Sequence, residues 1–225
     1  MSPNAERATK GERTRQRIRT AALSSFRENG YDATTIRRIA DELGMSVGAT
    51  NYHFPSKNHL IQEMYLDVQH AHRDAAAPLL DAETRLIERL GIVYATGLDQ
   101  LVPYHAHAGE FLSAAVSPRS PINPLSTESA DALGVVEELF ARAVEGAAPS
   151  GLPDDIRALL PRALVLAHLL LALYWVYDTS EGQRRTRALL DRGLKLLRTV
   201  LPLARLPLLR GALRDMLALV GEVRA

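Results

Sequence analysis

The chain has 225 residues, 47% of them hydrophobic, with 27 Lys and Arg against 26 Asp and Glu and no cysteine. That hydrophobic share is ample for a folded core and argues against disorder, while the missing thiols exclude a disulfide framework and a thiolate metal site. The net charge of +1 hides an asymmetry: positions 1–60 carry ten basic groups against six acidic ones, and the other 165 residues carry 17 against 20.

The N-terminal stretch MSPNAERATKGERTRQRIRT is charged and has no apolar run behind it, so it does not read as a secretory signal and a cytoplasmic protein is expected. Residues 1 to about 10 read as a mobile basic arm. A first helix is expected from about Glu12 to Asn29, with Ile18, Ala22, Leu23 and Phe26 inward and Gly30 ending it. Tyr31 and Asp32 form the link that follows, Tyr31 as a core residue. Arg7, Lys10, Arg13, Arg15, Arg17 and Arg19 make a basic run, which on its own is a solvated face and beside a nucleic-acid motif neutralises phosphates.

The segment from Thr34 to Phe54, TTIRRIADELGMSVGATNYHF, reads as two short helices set at an angle around one glycine. Ile36, Ile39, Ala40 and Leu43 form an apolar stripe, with Arg37, Arg38, Asp41 and Glu42 on the wet face. Thr34 or Thr35 caps the first helix, Gly44 stops it in the left-handed conformation, and Ser46 caps the next. The second helix, Val47 to His53, opens on Val47, Gly48 and Ala49, and Gly48 costs about 1 kcal/mol of helix propensity relative to alanine. A bare front of that kind suits close approach to another molecule, such as the major groove of DNA, where small apolar groups meet thymine methyls and amides reach base edges. On its pattern alone the segment is also a plain helical hairpin with a glycine cap. Phe54-Pro55-Ser56-Lys57 then breaks the helix, with Ser56 placed to cap the next one and Lys57 to meet a phosphate.

Further helices are expected from Ser56 to about Ala77, closed by Pro78, from about Ala82 to Val102, stopped by Pro103, and from Tyr104 to Val116. The three prolines of residues 117–124 mark a loop, Ser126 begins a helix to about Glu145, and GAAPSGLP is a second loop. The helix from about Asp154 to Thr179 contains ALVLAHLLLALYWVY, whose 15 residues fall short of the roughly 20 that span a bilayer, so it reads as buried or packed on two sides. Helices from about Gly182 to Leu201 and from Leu206 to Val223 complete an all-α chain.

Residues of about 13 to 60 resemble the DNA-binding domain of the TetR family of transcriptional regulators. The likeness rests on a basic first helix ending in Phe26-Arg27-Glu28-Asn29-Gly30-Tyr31, then TTIRRIADELGMS, then NYHFPSKNHL, in order and at family spacing. It implies a three-helix helix-turn-helix domain over residues 1–57 with its basic arm, joined to a helical-bundle body over 58–225 for ligand binding and dimerisation. It further implies a homodimer through about 154–201, a near-palindromic operator on double-stranded DNA, and release by a small effector, with repression as the family tendency. The helix from Leu206 to Val223 lies past the usual end of such bodies and reads either as packed on its own body or as a surface for a partner.

Carried over by position, the resemblance makes Arg37 a base-edge contact and Val47, Gly48 and Ala49 close apolar contacts beside Ser46. Asn51 and His53 stand near the groove floor or its phosphates, Thr35, Tyr52 and Lys57 are phosphate contacts, and Arg38 meets phosphate or solvent. Position 51 is very often tyrosine in the family, so Asn51 shifts that phosphate role toward Tyr52. Tyr65, Tyr94, Tyr104, Phe111, His168, Tyr174 and Trp175 either line an effector pocket, implying an apolar or aromatic ligand, or pack the core. His105, His107 and Glu110 hint at a metal site, but the spacing is loose, His107 and Glu110 alone share a face and no fourth ligand is obvious, so neither metal nor cofactor is expected. With no nucleophile elbow, phosphate-cradling loop or paired carboxylates, an enzyme with a DNA-binding head is the weak alternative. A closed apolar pocket in the body would point to a small effector, and a packed body with an exposed apolar patch at Leu206 to Val223 to a protein partner.

Overall fold

A computed structural model describes residues 9–148 and 151–222, so most of the expected basic arm lies outside the described residues. Among the described residues the chain is helical, with short 3₁₀ segments and no strand. The helices are α1 Lys10–Ala33, α2 Ile36–Leu43, α3 Val47–His53, α4 Lys57–Ala82, α5 Leu86–Leu101, α6 Ala108–Ala115, α7 Ala130–Glu145, α8 Asp154–Val176, α9 Arg184–Val200 and α10 Pro207–Glu222.

α1 opens on a capping box in which Thr9 accepts from the Glu12 amide while the Glu12 carboxylate takes the Thr9 amide. Gly30, whose φ of +78° and ψ of −172° are not helical, breaks α1 just after Asn29 as its sequence suggests, and a last turn to Ala33 follows across the kink. A side chain at Gly30 would also collide with Glu110 and His107 of the body. Between the two candidate caps of α2, Thr35 takes the role by accepting from the Arg38 amide at 3.1 Å. Thr34 is buried, donating to the Gly30 carbonyl at 2.7 Å and lying 2.9 Å from the Ser25 hydroxyl.

α4 differs most from expectation. Pro78 does not close it; the helix continues to Ala82. Proline forfeits one backbone bond and crowds the carbonyl four residues back, but Asp74 and Pro78 both lie on the exposed side of the helix, away from the core. Beyond them Ala76 and Leu80 are anchored in the core. Ser56 stands at the N-cap of α4 without capping it and instead meets the His59 ring at 2.9 Å. Pro103 does stop the α-helix near its expected end: α5 finishes at Leu101 and passes into a 3₁₀ segment, Val102–His107, that leads to α6.

The apolar interior has two parts. The larger joins α4, α5, α7, α8 and α10 through residues such as Leu90, Val93, Phe140, Ile156, Val165 and Leu217. The smaller gathers Ile18, Leu23, Phe26, Ile39, Phe54, Leu60 and Ile61 of the N-terminal helices with Tyr104, Phe111, Ala115 and Ile122 from later in the chain. The proline loop after α6 thus reaches back: Ile122 is fully buried, and its carbonyl accepts from the Tyr65 hydroxyl at 3.0 Å.

α8 is long and apolar enough to cross a bilayer, with 33% of its apolar window buried. Its full 23 residues pass the length test that the 15-residue run alone fails. In the fold one side of it is core, with Ile156, Leu160, Leu164, Val165, Leu171 and Trp175 packed inward, while Leu170, Leu173 and Tyr174 stay exposed on the other. Asp178 then ties α8 to α9 by accepting the Thr186 amide at 2.7 Å and its hydroxyl at 2.8 Å, together with the Ser180 amide and hydroxyl. Burial opposes its charge, but these four donors outweigh it and hold its carboxyl below the usual range.

One buried cation closes the far end of the body. The Arg89 guanidinium donates to the carbonyls of Leu80 and Glu83 at the end of α4, and to Arg142 at 2.8 Å and Ala143 at 2.7 Å at the end of α7. Helix C-termini present unpaired carbonyls and partial negative charge, so one planar cation serves both. Deeper in the core, His72 and His168 stack at 5.7 Å between α4 and α8, with Tyr94 and Phe140 against His168. His72 bonds the Val93 carbonyl at 2.8 Å, whereas His168 Nδ1 is buried without a partner. Burial, with His72 adding to it, pulls the His168 pKa down to about 3, and burial lowers that of His72.

Arg89→Met should destabilise the fold by about 3 kcal/mol or more, because the carbonyls it satisfies lose their donor inside the protein; denaturant titration reads this directly. His168 is neutral in the fold and binds a proton more readily unfolded, so stability should fall as pH drops through about 6.5 toward 3, by up to about 1.4 kcal/mol per pH unit, and the lowered pKa of His72 acts in the same direction. His168→Leu should lower that slope by close to one proton in urea titrations across this range.

Candidate nucleic-acid interface

The two short helices of the motif are set by their ends. Gly44 adopts φ +63°, with its amide donating to Asp41 at 3.2 Å while Met45 donates to Ala40 at 2.9 Å, a Schellman stop that turns the chain at once. Ser46 then caps α3, its hydroxyl accepting from the Ala49 amide at 3.1 Å. Ile39 and Ala40 of α2 are fully buried, and Ile36, Leu43 and Met45 pack partly against the same interior. α3 itself is held by Thr50, buried and donating to the Ser46 carbonyl at 3.2 Å, and by Phe54 just past its end.

With that side anchored, the opposite side of α3 faces solvent. Ser46, Val47, Gly48, Ala49, Asn51 and Tyr52 are exposed, Tyr52 to 85%, and His53 is half-buried with its ring edge-on to Tyr52 at 5.3 Å. A Cβ built on Gly48 meets nothing within 4 Å, so nothing inside the subunit requires a glycine there. Thr35 and Arg37 of α2 are also exposed, at the start of the neighbouring helix. The expected DNA-facing set therefore comes together, with Lys57 the exception. Its ammonium donates to the Tyr31 carbonyl at 2.9 Å and lies 3.6 Å from the centre of the Tyr31 ring. Burial lowers its pKa, with Asp32 and Glu110 opposing. Arg38, left between phosphate and solvent, donates to the Asn29 side chain at 2.7 Å.

The basic run of α1 divides. Lys10, Arg13 and Arg17 are exposed, whereas Arg15 and Arg19 are engaged with Glu63 and Asp67 of α4. All of them share a sequence pattern suited to neutralising phosphates; only a match between their helical phase and the acids of α4 separates them. Thr50, four residues from both Ser46 and Phe54, carries the anchoring face that the reading passed over.

The expected effector-lining aromatics do not meet in one cavity. Tyr104 and Phe111 belong to the smaller interior, with Tyr65 packed beside them, and Phe111 lies edge-on to Phe26 at 5.8 Å and to Tyr31 at 5.9 Å. Tyr94, His168 and Trp175 lie in the larger one, where the Tyr94 hydroxyl donates to the Leu164 carbonyl at 3.0 Å. Tyr174 is at the surface, 43% exposed. Two open clefts on the body, of about 510 and 340 Å³, are lined by other residues. His105 turns to the Trp175 carbonyl at 3.2 Å, while His107 pairs with Glu110 at 3.0 Å, and among the described residues no three acids or histidines gather as a metal site.

Comparison with known proteins agrees with this geometry. Residues 18–64 match the description "Bacterial regulatory proteins, tetR family", and residues 89–219 match "Tetracyclin repressor-like, C-terminal domain". The second match takes in most of α10, so that helix belongs to the body rather than lying past its usual end. The HTH-type transcriptional repressor KstR2 of Mycolicibacterium smegmatis is 28% identical over 92 residues, 41% of this chain and 45% of that one. The chain spans less than half the length of the curated relatives it matches. A TetR transcriptional regulator from Nitrosomonas europaea superposes with a TM-score of 0.62 at 18% identity, over 83% of this chain and 99% of the other. A tetR-family regulatory protein from Rhodococcus gives 0.52 at 26% identity, over 86% and 98%.

Proposed function

The chain belongs to the TetR family of transcriptional regulators, and from that premise we propose that it is a cytoplasmic repressor that reads a near-palindromic operator as a homodimer and leaves it when its body binds an effector. Residues 1–57 serve as the DNA-binding head and 58–225 as the effector-binding and dimerisation body; catalysis is no part of this role. The observation that carries the reading is the bare, solvent-facing front of α3, in which Gly48 answers to no packing need of its own subunit. Arg37 and Asn51 reach base edges, Val47, Gly48 and Ala49 make close apolar contact, and Thr35, Ser46, Tyr52 and His53 lie along the phosphates. Lys57 joins them with whichever of its donors the Tyr31 carbonyl does not take.

Dimerisation supplies what one short helix lacks, since two linked heads multiply affinity through effective concentration. Leu170, Leu173, Tyr174 and Tyr177 of α8 and the adjoining turn, with Leu189 and Leu196 of α9, are exposed on the single subunit and offer the apolar face such a pairing buries. The effector is an apolar or aromatic small molecule if the Tyr94, His168 and Trp175 region opens to admit it. A second reading, in which a protein partner delivers the signal, gains from α10, where Leu208, Met216 and Leu219 are 93%, 54% and 66% exposed. Sequencing the DNA retained from a random pool, then screening for compounds or proteins that release it, separates the two.

Gly48→Leu should leave thermal stability unchanged or slightly higher, because the added side chain enters open space and leucine favours helix, yet lower operator affinity at least tenfold by holding α3 off the groove. Arg37→Ala should cost about 1–3 kcal/mol of operator binding and relax preference at one base pair per half-site, read by titration against single-base variants.

A further inference from the structure

α3 is seven residues long, too short to hold its own conformation, and its last carbonyls lack helical partners. Arg15 of α1 reaches that end. Its Nη1 donates to the carbonyl of His53, the last residue of α3, at 3.1 Å, its Nη2 pairs with Glu63 of α4, and its guanidinium carbon lies 4.2 Å from the centre of the Phe54 ring. Arg19, one turn along α1, gives Nε to the other Glu63 oxygen at 3.1 Å and its terminal nitrogen to Asp67. One carboxylate on α4 is thus shared by two arginines of α1, and one of those arginines also carries the end of α3. A cation at a helix C-terminus is favoured by the backbone dipoles, and a planar guanidinium holds its donors in a fixed fork that fixes a carbonyl and a carboxylate in one orientation, whereas the donors of an ammonium turn freely on a flexible stem.

We propose that Arg15 and Glu63 are positioning residues that set the direction in which α3 is presented, and so the base preference of the head, and that Arg15 is not a phosphate contact. The proposal rests on the DNA-reading role given above. It makes the acid as necessary as the base: Glu63 adds negative charge to a head that binds a polyanion, and it is retained in the fold because it fixes Arg15.

The test uses the full-length protein. Wild type is first used to select duplexes from a random pool, which by itself tests the DNA-reading role; a wild type that retains no duplex removes that role and this proposal with it. Glu63→Gln, Arg15→Lys and Arg15→Gln are then titrated against the selected site and its single-base variants over a range of salt, with thermal melts confirming folding. Electrostatics alone predicts that Glu63→Gln binds more tightly. Positioning predicts the reverse: about tenfold weaker binding, smaller discrimination between the selected site and its variants, and an unchanged slope of log affinity against log salt. Arg15→Lys keeps the charge and should still lose discrimination. The discrimination ratio does not depend on the fraction of active protein, so partial unfolding does not imitate the effect. Glu63→Gln binding as tightly as wild type with its preference intact overturns the proposal, as does Arg15→Gln lowering the salt slope by about one while preference holds.

Discussion

The head is built around the need to hold a helix too short to hold itself. A seven-residue segment gains little from its own hydrogen bonds, so its direction is decided by what lies behind it. Behind α3 stand the buried Thr50, the fully enclosed Phe54 ring, the left-handed stop at Gly44 and the guanidinium of Arg15. Thr50 and Phe54 are buried and Gly44 and Arg15 act on the ends of the helix, and together they free its other side from any duty to the fold. An outward side so relieved can carry a glycine and small residues that would be wasteful elsewhere.

The same economy ties head to body. α4 runs 26 residues, with Leu60, Ile61 and Met64 in the smaller interior and Ala76 and Leu80 in the larger. A second tie crosses at Gly30: the Glu110 carboxylate accepts the Asp32 amide at 3.0 Å and pairs with His107, and these bonds hold its carboxyl below its ordinary pKa. A third is the loop that carries Ile122 into the N-terminal interior, with its carbonyl held by the Tyr65 hydroxyl. α4 and α6 thus each place side chains in both interiors.

Local rules made the motif legible. The stripe Ile36, Ile39, Ala40 and Leu43, the stop at Gly44 and the cap at Ser46 depend on neighbours within one turn, and each is found where pattern places it. What could not be read depends on residues far apart in the chain. Pro78 looked like a terminus, but Leu80 is gripped by helices that arrive 50 or more residues later, and tertiary packing outweighs one lost bond. Arg15 and Arg19 looked like free cations because their acids lie on another helix, at positions 63 and 67. The seven aromatics chosen for a pocket share a chemistry and no neighbourhood, and composition carries no signal to divide them between two interiors.

The loan of Tyr104, Phe111 and Ile122 to the N-terminal interior bears on how such molecules can be recombined. A chimera spliced at residue 57 would carry the reading helices away from these side chains, and from Leu60, Ile61, Met64 and Ala115 of the same interior, leaving a hole in the graft and bare apolar surface on the donor. Whoever wishes to transplant this head must bring the underside with it, so the transferable unit is discontinuous in the chain, and exchange between relatives is confined to bodies that already offer matching side chains.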